Sequence, residues 1–414
     1  MVTKININIK SKSVNLIKGV FVMNKYKIFI LTILLSVTFL TMSCDDTGSM
    51  TYGGYGNQQP YAVQETKDGG AIIVGVNTGN VYVLKVDSMG KEKWNKTVGG
   101  ENSDWGYDVK ETSDGGYVVI ASTENYGPGD PNYYGSYGNA LIIKYSANGS
   151  KLWQKVYGYD QYDGPNSIAV TEDGGLIVAG YTHSFGGGDF WVLKLDANGN
   201  KQWDNHYGND RTQVGRSIKV VPGNGYIIVG STNDEATARL KGYVVKIDNN
   251  GNEEWSAEYG DTSKFHTFYD VIVDGNNYVM AGYTSSDIFP NNDSDAYLVK
   301  INATGTVIWE KTIGGTLLDQ FFKIVKGTNG GYVMAGVTRS YGQGSSLNGD
   351  MWIVKVDVNG NQAWSRTYGT DKGDIARGLD VTDSGGYLLV GETMTGLTSG
   401  YDILLYRLDS NGEK

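Results

Sequence analysis

The chain is poor in the residues that most often carry catalysis or cross-links. It has one cysteine and three histidines in 414 residues, so no disulfide can form within it. None of the histidines (His183, His206 and His266) has a second metal ligand at a recognised spacing. The sequence also lacks a Gly-x-Ser-x-Gly elbow and a phosphate-binding loop. These absences argue against catalysis, and we expect no bound cofactor.

Charge is sparse as well. Charged residues make up 19% of the chain and aromatic residues 12%, which is not the composition of a disordered protein. The 45 acidic residues outnumber the 35 basic ones, so phosphate backbones would repel the chain and nucleic acid is excluded as a partner. The abundant residues are 59 glycines and 30 tyrosines. Their even spread favours many short strands and tight turns.

The N-terminal region has the pattern of a secretory signal peptide over residues 23–43. Lys25 and Lys27 precede an apolar run, residues 28–40, that is too short to span a membrane comfortably. We expect residues 1–22 to be an upstream extension, with Met23 as the true start. Removing residues 1–43 takes away six lysines and no acids, so the mature chain is still more acidic.

The residues at the end of this signal resemble the lipobox of bacterial lipoproteins. Small residues lead to Cys44, with Ser43 before it and Thr41 where leucine is usual. The resemblance implies that Cys44 is lipidated and anchors the chain to the bacterial outer membrane, facing the periplasm or the cell surface. Residues 44–49 would then be a short tether. The alternative is an ordinary secretory signal with a chance cysteine.

The rest of the chain repeats one unit. Segments such as "FWVLKLDANGNKQW", ending at Trp203, recur with the tryptophans 59, 50, 52, 54 and 55 residues apart. A second shared segment, such as "SIAVTEDGGLIVAGYT", precedes each one. A fixed period near 54 residues is the signature of a repeat architecture. The tryptophans are Trp94, Trp153, Trp203, Trp255, Trp309 and Trp364, and a seventh copy stops at the end of the chain.

Each copy predicts four short strands, a to d. In the third copy we expect them at about residues 167–172, 176–181, 190–196 and 201–207, with tight turns at Asp173-Gly174 and around Asn198-Gly199. Four-stranded antiparallel units at this period are propeller blades. The prediction is therefore an all-β, seven-bladed β-propeller over residues 50–414. The last copy lacks strand d, so we expect the N-terminal segment "GSMTYGGYG" to complete it.

The repeated pattern Asp-x-x-Gly-x-x-x-Trp resembles the tryptophan-docking motif of quinoprotein-like propellers, with one residue fewer in the turn. The resemblance implies that each tryptophan packs on the neighbouring blade. Gly48 occupies the equivalent position at the closure. The "DGGYxVAG" core also looks like glycine-rich repeats of bacterial surface propellers. Such resemblance is specific for fold and poor for function.

Two sets of repeated charges invite a chemical interpretation. We expect the basic residue of strand c, for example Lys194, to be structural, with its head group at a local carboxylate such as Asp196 on the same face. A second set begins strand a and could ring one mouth of the channel, where its acids could bind a cation. The alternative is that each side chain caps its own d–a loop. This set is Gln58, Asp104, Asp163, Gln213, His266, Asp319 and Asp374.

The loops differ between the two ends of the blades. The a–b and c–d turns are uniformly short, whereas the b–c and d–a loops vary and carry exposed aromatic residues typical of recognition surfaces. Packing between blades is the alternative role of these tyrosines. The candidate ligand-binding residues are Trp105, Tyr126, Tyr133, Tyr134, Tyr137, Tyr159, Tyr162, Phe185 and Tyr341.

Together these features predict a monomeric, lipid-anchored propeller of the bacterial envelope. It would act as a non-catalytic binding or scaffold module whose variable loops contact an envelope protein or a glycan. Two alternatives stay open: a glycan-processing or quinone-type enzyme on the same fold, and a purely structural surface protein.

Overall fold

A computed structural model describes residues 49–414 except 55, 126–137, 210, 234–236, 238, 287–292, 343–348 and 396–399. The signal peptide, Cys44 and Gly48 therefore lie outside the described residues. Within them the chain forms seven four-stranded antiparallel sheets, which are the blades of a seven-bladed β-propeller. The described part of the chain contains no helix, and hence none that is long and apolar enough to cross a membrane.

The strands follow one another as hairpins, four to a blade. Blades 1 to 3 consist of β2 (Gln58–Glu65), β3 (Ala71–Asn77), β4 (Asn80–Val86), β5 (Glu92–Val98); β6 (Asp104–Glu111), β7 (Tyr117–Thr123), β8 (Asn139–Tyr145), β9 (Lys151–Tyr157); β10 (Asp163–Val170), β11 (Leu176–Thr182), β12 (Asp189–Leu195) and β13 (Lys201–Tyr207).

Blades 4 to 6 repeat this order, and blade 7 takes its outermost strand from the N-terminal side. The strands are β14 (Gln213–Val220), β15 (Tyr226–Asn233), β16 (Leu240–Ile247), β17 (Glu253–Tyr259); β18 (Phe265–Asp274), β19 (Asn277–Ser285), β20 (Ser294–Asn302), β21 (Val307–Ile313); β22 (Asp319–Lys326), β23 (Tyr332–Thr338), β24 (Asp350–Val356), β25 (Gln362–Tyr368); and β26 (Asp374–Val381), β27 (Tyr387–Met394), β28 (Tyr401–Leu408), β1 (Ser49–Tyr52).

The turns form where the sequence predicts them, for a local reason. In blade 3 the Asp196 carboxylate accepts hydrogen bonds from the backbone N–H groups of Asn198 (2.8 Å) and Asn200 (2.7 Å). Gly199 takes the left-handed conformation that closes this turn, with φ +73°. The same carboxylate-to-backbone bonds recur at Asp248 and Asp357, so the c–d turn is the same device in several blades.

The hydrophobic core lies between blades rather than inside any one of them. Val74 and Val83 of blade 1, for example, pack in one cluster with Val119 and Ile143 of blade 2, and all four are fully buried. The middle strands b and c are therefore covered on both faces, which explains their near-continuous apolar sequence.

Neighbouring blades are also joined at their outer strands. Each of the six predicted tryptophans lies on the glycine of the next blade's c–d turn, and a Cβ at Gly199 would come within 2.8 Å of the Trp153 ring. The Trp94 indole N–H donates to the Ala147 carbonyl (3.2 Å) of the next blade. The six glycines are Gly149, Gly199, Gly251, Gly305, Gly360 and Gly412.

A tyrosine at the end of strand d adds a second bond across the same boundary. The hydroxyl groups of Tyr207 and Tyr259 donate to the carbonyl groups of Gly251 (2.6 Å) and Gly305 (2.7 Å). In blades 2, 3, 4 and 6 Trp and Tyr together therefore hold the outer strand to the turn of the following blade, whereas strand d ends in Val98 in blade 1 and in Ile313 in blade 5. We call this pair of contacts the blade latch.

The ring closes as the sequence predicts. Strand β1 pairs antiparallel with β28, with Tyr52 opposite Ile403, so the N-terminal strand completes blade 7. The Tyr52 hydroxyl donates to the Gly90 carbonyl (2.5 Å) in blade 1. Met50 lies against Gly90, in the place that a tryptophan ring takes in the other blades. The latch is thus preserved at the closure with a different apolar side chain.

Two local expectations were wrong. Strand a of blade 3 begins at Asp163 and ends at Val170, because a β-bulge between Pro165 and Ser167 interrupts the alternation that marks a strand in the sequence. The Lys194 ammonium pairs with Asp173 of the a–b turn (3.0 Å) and with the Leu195 carbonyl, not with Asp196. The a–b turn lies beside strand c only once the sheet has formed.

Removing the closing strand tests this architecture. A chain that starts at residue 57 should unfold at a lower temperature than one that starts at residue 45, because β28 loses its partner and the burial of Tyr52 and Met50 is lost. We expect a loss of about 3–5 kcal/mol in unfolding free energy, measured by thermal and urea denaturation. Equal melting temperatures for the two chains would contradict the closure.

Candidate functional site

The two ends of the ring differ in structure. At one end lie the short a–b and c–d turns. At the other end lie the b–c and d–a loops, and their lengths vary: the b–c loop is Thr78-Gly79 in blade 1, whereas in blade 2 it runs from Glu124 to Gly138. We call the second end the variable-loop face. Loops that vary on a rigid frame are where binding residues concentrate.

The seven residues predicted to ring a channel mouth begin strand a of their blades, at the variable-loop face, and all are buried. Their carboxylates accept bonds from their own d–a loops: Asp319 from the Gly315 N–H (2.8 Å), Asp374 from Thr370 (2.7 Å) and Asp104 from Gly100 (3.1 Å). Burial raises the pKa of Asp104 and Asp374. In these three blades the carboxylate therefore caps the d–a loop that precedes it.

No group of three His, Cys, Asp or Glu side chains that could hold a metal ion occurs among the residues that the structure describes. The cation ring therefore stays a prediction from the sequence alone.

A second set of side chains comes from the extra residue of the β-bulge in each strand a. These side chains contact one another from one blade to the next. The Arg216 guanidinium lies 4.5 Å from the Tyr269 ring, Tyr269 packs edge-on against Phe322 (5.1 Å), and Arg377 lies 5.2 Å from Phe322. Arg377 in turn lies 5.9 Å from Tyr61, which contacts Tyr107. This belt was missed because its members are alike only once the bulge is aligned.

Nearer the short-turn end, the innermost strands line a cavity of about 450 Å³ with mixed charges. The charged side chains in its wall are Asp108, Lys110, Lys219, Asp270, Lys323, Lys326 and Asp380. Three carboxylates face four ammonium groups, of which Lys326 also pairs with Asp274 (2.8 Å) outside the cavity. Sequence reasoning missed this cluster as well, because the same two positions of strand a carry charges of opposite sign, or no charge, in different blades.

Asp270 shows how the charges in this cavity hold the blades together. Its carboxylate accepts bonds from the Ser217 hydroxyl (2.6 Å) and Lys219 (2.9 Å) of blade 4, and from the Ile324 N–H (3.2 Å) of blade 6. Burial alone would raise its pKa, but the ammonium groups of Lys219 and Lys323 outweigh burial and lower it to about 2. Asp270 therefore ties three blades together as an anion.

The predicted aromatic residues fall into two groups. Trp105 and Tyr162 are half-buried in ring contacts: Trp105 with Tyr61 (6.0 Å) and Tyr162 stacked on Tyr181 (5.4 Å). They serve as packing. Tyr126, Tyr133, Tyr134 and Tyr137 lie outside the described residues.

Tyr159, Phe185 and Tyr341 are exposed on the variable-loop face, by 36%, 46% and 48% respectively. Tyr341, in blade 6, is tied down by a bond from its hydroxyl to the Gly314 carbonyl (2.5 Å).

Tyr159 and Phe185 meet His206 in what we call the blade 3 patch. The Phe185 ring stacks on the His206 imidazole, with 4.2 Å between centroids and 3° between planes, and Tyr159 packs edge-on against Phe185 at 4.8 Å. Sequence reasoning missed His206, although it faces outward next to the last residue of strand d, where the next loop begins.

Two carboxylates hold the blade 3 patch in place. The Tyr159 hydroxyl donates to Asp204, and His206 Nδ1 lies 2.9 Å from Asp189 Oδ2. Burial and the Asp204 charge raise the pKa of Tyr159 above its ordinary value, so it stays a neutral donor. Tyr159, Phe185 and His206 thus form an exposed aromatic platform that is held by two largely buried carboxylates.

No protein-family model and no curated protein sequence matches the chain. Solved structures share its fold. The WD40 domain of Neurospora crassa Pan2 is similar with a TM-score of 0.54 at 13% identity, over 86% of this chain and 91% of that one. The WD40 β-propeller domain of Doa1 is similar with a TM-score of 0.53 at 11% identity, over 87% and 95%. At these identities the likeness shows the fold alone.

Replacing Asp270 tests the buried charge cluster. The Asp270→Asn variant should lose about 3 kcal/mol of stability at neutral pH, because Ser217, Lys219 and Ile324 lose the charged partner of their bonds to a buried carboxylate. The folded pKa of about 2 lies below the ordinary value of 3.8, so the carboxylate stabilises the protein above about pH 4 and this contribution is lost as the pH falls towards 2. The difference between wild type and variant should shrink over that range.

Urea unfolding from pH 7 downwards measures this difference. Asp371→Asn, which changes an exposed carboxylate, is the control and should leave stability unchanged. A difference that is small at pH 7, or that grows on acidification, would be inconsistent with an ionised Asp270 in the folded protein.

Proposed function

We propose that this chain is a non-catalytic binding module of the bacterial cell envelope that recognises a glycan through its variable-loop face. The observation that carries the proposal is the blade 3 patch, in which the stacked rings of Phe185 and His206 stay about half exposed on the variable-loop face. The envelope location rests on the sequence of residues 23–44, whose pattern implies a lipid anchor at Cys44.

The chemistry of the patch suits a sugar ring. The electron-rich face of an aromatic ring attracts the weakly positive C–H groups on one face of a pyranose. The carboxylates of Asp189 and Asp204 contact His206 and Tyr159 of the platform, and carboxylate oxygens can also accept bonds from sugar hydroxyl groups. Asp204 also pairs with Lys201 (3.0 Å), which keeps it charged and oriented.

A protein partner from the envelope is the second candidate. Stable protein interfaces bury roughly 800 Å² on each side, and three exposed side chains fall well short of that area, whereas one or two sugar rings need no more. A glycan-processing or quinone-type activity is the third, since propellers host enzymes as well as binding modules. The exposed aromatic platform of blade 3 favours glycan binding over these two candidates.

A double variant tests the proposal. Phe185→Ala combined with His206→Ala removes the stacked pair and should weaken glycan binding at least tenfold, on the order of the 1–2 kcal/mol that an exposed aromatic anchor contributes. Binding is measured on a glycan array and then by calorimetry with the best sugar. Tyr341→Ala is the matched control, because Tyr341 is equally exposed on the same face but lies in blade 6.

The outcomes separate the candidates. Loss of glycan binding in the double variant, with Tyr341→Ala unaffected, supports the proposal. If the wild-type chain binds no glycan and instead retains one envelope protein in a pull-down, the partner is a protein. Turnover of any bound sugar would show an enzyme and overturn the non-catalytic role.

A further inference from the structure

A pocket of about 500 Å³ opens at the variable-loop end of blade 5, two blades away from the blade 3 patch. Its wall combines the d–a loop at Gly260, Asp261 and Lys264 with the ends of all four strands of the blade. The strand residues are His266, Thr284, Tyr297, Glu310, Lys311 and Thr312. A volume of this size suits one small molecule.

His266 is the unusual member of this wall. It is 4% exposed, yet neither of its ring nitrogens has a hydrogen-bond partner. The nearest carboxylate oxygen, on Asp261, lies 4.0 Å from Nε2, too far for a hydrogen bond. Burial lowers the pKa of His266, so the imidazole is neutral and offers one donor and one acceptor. The hydroxyl groups of Thr267 and Thr284 are likewise buried and unpaired.

In blades 4 and 6 the two side chains at the same pair of positions bond to each other. In blade 6 the Thr338 hydroxyl donates to Asp319, and in blade 4 Gln213 Nε2 donates to the Thr232 hydroxyl (3.1 Å). His266 faces Thr284 in the same register, but no such bond forms there. Buried polar groups without partners are rare and costly. His266 and Thr284 both line the pocket, which indicates that a group in the pocket bonds to them.

In blade 3 a side chain of the protein itself fills the space that corresponds to the blade 5 pocket. There the corresponding space holds the six-membered ring of Tyr159, whose hydroxyl donates to Asp204 beside Trp191. By strand register, Glu310 and Tyr297 of blade 5 stand where Asp204 and Trp191 stand in blade 3. The d–a loop of blade 5 has Asp261 where blade 3 has Tyr159, so no ring from this loop fills the space.

The charges around the pocket further restrict the chemical class of the ligand. Asp261 and Glu310 are balanced by Lys264 and Lys311, and the Tyr297 hydroxyl already donates to Glu310 (2.7 Å). A wall with two charges of each sign does not select an anion or a cation. A neutral imidazole and a threonine hydroxyl, each able to donate and accept, match adjacent hydroxyl groups.

We propose that the blade 5 pocket is a separate binding site for a small uncharged molecule with a hydroxylated six-membered ring, namely a free monosaccharide, and that His266 and Thr284 bond its hydroxyl groups. This site does not depend on the blade 3 patch. It accounts for the unpaired side chains of His266 and Thr284 and for the difference between blades 3 and 5, which are built on one repeat.

Saturation-transfer NMR on the mature chain tests the proposal with four probes: D-glucose, D-galactose, D-mannose and N-acetyl-D-glucosamine at millimolar concentration. At least one should receive saturation from the wild-type chain. His266→Gln, which places in blade 5 the residue found at Gln58 and Gln213, should fold normally and abolish the signal. Thr284→Val should weaken binding severalfold without lowering Tm, because its hydroxyl has no internal partner. Thr338→Val should lower Tm, because its hydroxyl has one.

The Phe185→Ala and His206→Ala double variant distinguishes this site from the proposed function, since it should keep the signal in full. The proposal is overturned if none of the four sugars receives saturation from the wild-type chain. It is equally overturned if the signal survives in both His266→Gln and Thr284→Val, or if only the blade 3 double variant removes it.

Discussion

Each blade of the ring is held to the next at the glycine of the following c–d turn, on which a tryptophan of strand d lies in six blades and Met50 in the seventh. The contact needs a glycine on one side, since a Cβ at Gly199 or Gly251 would collide with the tryptophan. It needs a large apolar side chain on the other side. The turn, the outer strand and the packing between blades therefore depend on one another, which explains why these residues recur together.

Because the latch and the buried charges hold the frame, the variable-loop face is free to differ from blade to blade. Blades 3 and 5 illustrate this freedom at one location. In blade 3 the loop supplies Tyr159, which fills the space and extends into an exposed platform with Phe185 and His206. In blade 5 the loop supplies Asp261, and the space stays open above a buried His266. One repeat thus yields two surfaces of different chemistry.

The features predicted from the sequence are those that recur, because repetition separates the residues of the scaffold from the rest. The number of blades, the c–d turns and the closing strand around Tyr52 follow from aligned copies alone. The start of strand a at Asp163 was missed, because a bulge hides the alternation. The partner of Lys194 was wrong, because Asp173 becomes its neighbour only across a formed sheet.

The site residues were harder to predict for a related reason. His206 and His266 are distinctive because of their surroundings. His206 stacks on Phe185, and His266 lines an open pocket. Neither arrangement can be read from the residues next to the histidine in the sequence. A histidine aligned with aspartates and glutamines is a visible signal at His266, but only the unpaired nitrogens show that it departs from loop capping.

The repeated part of the chain builds the ring, and we propose that the variable-loop face does the binding. Hydrogen exchange measured by mass spectrometry, with and without the tightest-binding sugar of a glycan array, tests it most directly. The account predicts slower exchange in the loops around residues 158–163, 183–189 or 260–266 and no change in the c–d turns, such as residues 196–200. Protection confined to the short turns would contradict it.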